Sequence, residues 1–165
     1  MKKGYKIFLF TICVVLLVGA CSCSSLTKPT AKDFTKAGAT ITLTDKFTEQ
    51  ELATQTAYYV SQTSIVTTLK EEFSLFKGTE YEVMTLKEYA DLVIAANTLK
   101  ASAAEKDGLV YFTYEKSMNG KDYKYYATVF KGTDAYWLIQ FACEVKNFDK
   151  FLPDFEGWAK SVKFS

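Results

Sequence analysis

The sequence predicts an α+β fold, an antiparallel sheet flanked by helices on both faces in an α/β/α sandwich. From Leu109 onward, three strand-like segments follow one another across short turns. The third of them, residues 135–145, is apolar at Trp137, Ile139, Phe141 and Cys143 but also at Tyr136, Leu138 and Ala142, the pattern of a central strand covered on both sides. Helical segments after Thr85 and after Phe148 are available to cover the two faces.

The chain begins with Lys2, Lys3 and Lys6, an apolar run from Ile7 to Val18, and then Gly19 and Ala20, the charged, apolar and small-residue order of a secretory signal peptide over residues 1–20. The apolar run of twelve residues would reach ~18 Å as a helix, short of a ~30 Å hydrocarbon core, so a permanent span is not expected. Val18-Gly19-Ala20-Cys21 resembles the lipobox of bacterial lipoproteins, with Val where Leu is commoner. That resemblance implies cleavage before Cys21, a diacylglycerol on its sulfur and further acylation such as palmitate. Two or more acyl chains hold a protein stably at a membrane where one does so only marginally. An ordinary cleaved signal with an incidental cysteine is the plainer alternative, and Cys23, behind Ala20-Cys21-Ser22, is a poorer acceptor. Lipidation of Cys21 would remove any Cys-x-Cys redox or metal pair.

Residues 21–37 are small and polar, include Pro29 and show no sustained period, so they read as the lipidated N-terminus and a flexible tether. Lys28, Lys32 and Lys36 recur every four residues there; a solvated linker is the simpler reading than contact with anionic headgroups. The globular domain is expected over 38–165. It starts with a half-buried strand in which Ile41 and Leu43 alternate with threonines, followed by strands near 57–60 and 64–71. Thr85-Leu86-Lys87-Glu88 forms a capping box, with Leu86, Tyr89, Val93 and Ala96 following at helical steps. In the meander, strands 109–117 and 122–131 are joined at Asn119-Gly120, a dipeptide suited to a type I′ turn. The final segment, 148–162, places Phe148, Phe151, Leu152, Phe155, Ala159 and Val162 on one helical face, and Pro153 should kink it or confine the regular helix to residues after about 152.

Composition excludes several chemistries. The chain has 20 basic and 19 acidic residues, no histidine and no arginine, and loss of the signal with its three lysines changes the formal charge from +1 to 17 − 19 = −2. A basic excess that would suggest nucleic acid is absent. Ser-His-Asp and Cys-His catalysis and a histidine-ligated zinc site cannot be assembled, and with Cys21 lipidated a cysteine-rich site fails too. No cofactor, metal site or enzymatic activity is expected. Cys143 reads as a small buried thiol, and a Cys23–Cys143 disulfide is not expected.

The segments Ala135-Tyr136-Trp137-Leu138-Ile139-Gln140-Phe141 and Phe155-Glu156-Gly157-Trp158-Ala159-Lys160-Ser161-Val162-Lys163-Phe164, with the leading Gly-x-x-Ile-x-Leu strand and Leu86-Lys87-Glu88-Tyr89-Ala90, resemble the PsbP-like family across residues 38–164. The resemblance implies a sheet between helices and an accessory or partner-binding role. It supplies no partner-binding residues, and fold alone transfers no function.

The expectation is therefore a membrane-anchored lipoprotein outside the cytoplasmic membrane, a non-enzymatic binding or accessory module whose protein or small-molecule partner the sequence does not identify. The alternative is an extracytoplasmic receptor for a small molecule or glycan, with Tyr111, Tyr114, Tyr123, Tyr125 and Tyr126 as the candidate surface. Packing under helices is the competing role for those rings. The carboxylates of Glu71, Glu72, Glu80 and Glu82 are expected in solvent.

Overall fold

The computed structural model describes residues 28–165. The signal peptide expected over 1–20, together with Cys21 and Cys23, lies outside the described residues. Strand β1 (Ala31–Lys36) turns at Ala37-Gly38, where both residues have positive φ (51° and 93°), and pairs antiparallel with β2 (Ala39–Thr44), setting Phe34 opposite Ile41. This strand falls inside the segment expected as tether, so sheet pairing is already present from Ala31, ahead of Gly38. Its apolar periodicity is too sparse to read, because Phe34 is its single buried residue. Polar pairing to β2 fixes it instead: the Thr42 hydroxyl donates to Asp33 Oδ1 at 2.6 Å, and Thr35 and Thr40 share a hydrogen bond.

Strands β3 (Thr48–Gln50), β4 (Ala57–Val60) and β5 (Ser64–Glu72) follow, then a 3-10 turn at Phe73–Phe76 and helix α1 (Leu86–Ala96). The capping box is present: the Thr85 hydroxyl accepts from the Glu88 backbone N–H at 3.2 Å while the Thr85 N–H donates to the Glu88 carboxylate at 2.8 Å. Thr85→Ala is expected to lower stability by ~1 kcal/mol, since it orphans an N-terminal donor; a urea unfolding curve checks this.

Beyond β6 (Ala104–Lys106) come β7 (Leu109–Met118), β8 (Lys121–Lys131) and β9 (Ala135–Glu144). Asn119 and Gly120 both take positive φ, 51° and 74°, the two left-handed positions a type I′ turn needs. A 3-10 turn at Val145–Asn147 runs into α2 (Phe148–Lys160), and β10 (Lys163–Phe164) returns to β2. The helix is continuous through Pro153, so of the two effects expected of the proline, confinement of the regular helix to residues after about 152 is not found. The hydrogen bond that proline forfeits would have ended on the carbonyl of Asp149, an exposed residue in the first turn, where water can substitute.

Among the described residues, all strand pairings are antiparallel and form two sheets, β3-β4-β5-β9-β8-β7-β6 and β1-β2-β10. This overturns the expected single sheet with helices on both faces. The described chain is mostly β, and its two α-helices have only 11 and 13 residues. One face of the large sheet carries Tyr58, Phe112, Tyr125 and Leu138 against Tyr89, Ala90 and Val93 of α1. On the other, Val66, Ile139 and Phe141 form one apolar cluster with Phe155 and Ala159 of α2 and also with Ile41 and Leu43 of β2, so a second sheet supplies cover that the sequence assigned to helix. Strand β9 is the middle strand of the seven, and nine of its residues are buried, as its two-sided apolar pattern demands.

Candidate functional site

The five tyrosines do not converge on one surface. Alternation along β7 and β8 sends Tyr114, Tyr123 and Tyr125 into the cluster under α1, and Tyr111 and Tyr126 to the opposite face. Tyr114 stacks on Tyr125, with ring centroids 4.6 Å apart, and donates its hydroxyl proton to Gln140 Oε1 at 2.6 Å; Gln140 in turn donates to Thr67. Tyr111 stacks on Tyr126 at 5.1 Å. Burial raises the phenols of Tyr114 and Tyr125 and pushes Tyr126 up to about 12. The proposed ligand surface is thus replaced by two packed faces, because strand alternation divides residues that sequence proximity groups together.

Glu71 departs from expectation as well. It lies on β5 facing α1 and is buried, whereas Glu72, Glu80 and Glu82 are exposed. The Tyr89 hydroxyl donates to its Oε2 at 2.5 Å, and the Tyr89 ring stacks on Tyr136 at 4.6 Å. Tyr136 donates to the Met84 carbonyl and accepts from the Met84 N–H, tying the loop before α1 to β9. Burial raises the Glu71 carboxyl, and the Tyr89 hydrogen bond offsets part of that rise. Cys143 is a buried free thiol pushed up to about 11 by burial. Among the described residues, no three His, Cys, Asp or Glu side chains gather as a metal site would require.

A concavity lies elsewhere, where the ends of both sheets meet α2. It is a cleft of about 600 Å³, within the range of small-molecule sites. One wall is the turn from β2 to β3, the second the β4–β5 turn at Ser61–Thr63, and the third the face of α2 that bears Phe151, Asp154 and Trp158. Those three recur at steps of three and four residues, which places them on one helical face. Phe47 stands perpendicular to Trp158, with ring centroids 5.3 Å apart. Ser161 fixes the end of α2 against β2, donating to the Trp158 carbonyl at 2.6 Å and accepting from the Thr42 N–H at 3.0 Å.

Polar groups around the cleft fall into two sets. Asp45 accepts from the Thr30 hydroxyl at 2.8 Å and from its N–H, and these bonds hold its carboxyl below the usual range. Ser61 is committed to its own turn, accepting from the Thr63 and Ser64 N–H groups and donating to the Ser64 carbonyl. By contrast, Ser64 is 3% exposed, lines the cleft and has no partner for its Oγ among the described residues. Sequence reasoning missed Phe47, Ser64, Phe151, Asp154 and Trp158. The helical spacing of the last three was the available signal.

No family model matches the chain, and no curated protein matches it. Among solved structures, it is similar to the solution structure of cyanobacterial PsbP (CyanoP) from Synechocystis sp. PCC 6803, with 16% identity, coverage of 90% of this chain and 99% of that one, and a TM-score of 0.48.

Proposed function

We propose that the chain is a lipid-anchored, extracytoplasmic binding module, held to the membrane through Cys21, whose cleft beside α2 takes a small molecule. The anchoring half of this reading is supported by the lipobox Val18-Gly19-Ala20-Cys21. The binding half is carried by one observation, a cleft of about 600 Å³ onto which the partly exposed Phe151 and Trp158 and the side chains of Gln50, Gln62 and Asp154 open, the last three making no hydrogen bond among the described residues. Pro29 lines the same cleft, only eight residues after Cys21, so at most ~29 Å of chain would separate it from the acylated residue. Among the described residues, no helix is long and apolar enough to cross a membrane.

Metabolic labelling with palmitate and membrane fractionation test the anchor. The wild-type chain is expected to take up label and sediment with membranes, while Cys21→Ser loses the label and moves to the soluble fraction. A Cys21→Ser chain that stays with the membranes would overturn the anchoring.

A further inference from the structure

We infer that the cleft beside α2 is a subsite for a neutral saccharide, bound with C–H faces of its sugars on the partly exposed Trp158 and Phe151 rings and its hydroxyls on Gln62, Gln50 and Asp154. This rests on the binding reading above and adds the ligand class.

Aromatic area comes first. Trp158 and Phe151 are both partly exposed on the cleft side of α2, whereas Phe47 behind them is buried. The negative face of an aromatic ring attracts the slightly positive C–H groups that a pyranose presents on one side. Two partly exposed rings do not close the aromatic cage that holds a quaternary ammonium, and Asp45 and Asp154 on the lining oppose an anion.

Hydrogen-bonding capacity comes second. Gln50, Gln62 and Asp154 border the cleft, and their side chains make no hydrogen bond or ion pair among the described residues. Amides that both donate and accept, with a carboxylate acceptor beside partly exposed aromatic rings, match the alternating hydroxyl rim of a sugar.

Isothermal titration calorimetry on the full chain in a polyoxyethylene detergent, which carries neither sugar nor choline, tests this. The probes are cellotetraose, chitotetraose, maltotetraose and choline chloride. At least one of the three saccharides is expected to bind saturably. Trp158→Ala should weaken it tenfold or more, and Gln62→Ala, at an exposed turn position, about threefold or more. Gln50→Ala, at an exposed position on β3, should weaken it by a similar factor. Heat from choline alone would overturn the saccharide class while leaving a binding cleft. No heat from any probe, or saccharide binding unaltered by both Gln50→Ala and Gln62→Ala, would overturn the proposal. Palmitate labelling reads the anchor separately, so loss of one does not remove the other.

Discussion

Phe141→Ala is expected to destabilise the domain by ~3–5 kcal/mol, a large share of the ~5–15 kcal/mol that holds a typical domain folded. Phe141 is fully buried on β9, paired with Val66 of β5 on one side and Tyr126 of β8 on the other. Its ring lies 5.9 Å from Phe155 and 6.2 Å from Trp158, so truncation opens a cavity between the large sheet and α2. Neighbouring backbone cannot collapse into that space, because the strands on both sides are held by continuous pairing. Urea unfolding should show a large fall in midpoint with an unchanged slope, and a loss below about 1 kcal/mol would mean that the helix closes onto the sheet.

The second large effect concerns Glu71. Tyr89→Phe keeps the ring stacked on Tyr136 but removes the hydroxyl that donates to the buried carboxylate, and should cost ~1–3 kcal/mol above neutral pH. The direction with pH follows from the raised Glu71 carboxyl. The folded state holds its proton more tightly than the unfolded state, so this residue's contribution is fully present below the unfolded pKa and is lost as pH rises through the folded one. Losing the Tyr89 donor raises the carboxyl further. Tyr89→Phe should therefore regain part of its lost stability between pH 8 and pH 5 and show a steeper dependence than wild type, and Glu71→Gln should flatten it. Parallel urea midpoints at the two pH values measure both, and a Tyr89→Phe deficit equal at pH 5 and pH 8 would contradict the account.

Much of the large sheet could be read from the sequence because its signals are local. The capping box at Thr85, the Asn119-Gly120 turn and the two-sided apolar pattern of Trp137 to Cys143 each describe their own surroundings. The small sheet could not be read in this way. It joins β1 and β2 to β10, pairing Lys163 with Thr40 across most of the domain, and β1 contributes a single core side chain. Glu71 was misplaced because a charged residue in a strand normally faces water, and only the position of Tyr89 on a distant helix makes its burial tolerable. The cleft was hidden for a related reason: Phe47, Ser64 and Trp158 are far apart in the chain and meet only when both sheets are in place. The tyrosines show the converse error, in which closeness in sequence suggested a shared surface that strand alternation divides.

The outermost strands of the large sheet, β3 and β6, have three residues each, all exposed, and carry Glu49, Glu105 and Lys106. Glu49 is paired with Lys36 and Lys106 with Glu156, so both margins are flanked by charge. A long, flat, apolar edge would be a template onto which a neighbouring copy could add its own strand. Margins this brief and this charged offer too few free backbone groups to start such a ladder. At the crowding that confinement to a membrane surface would bring, they favour copies that remain separate over copies that aggregate edge to edge.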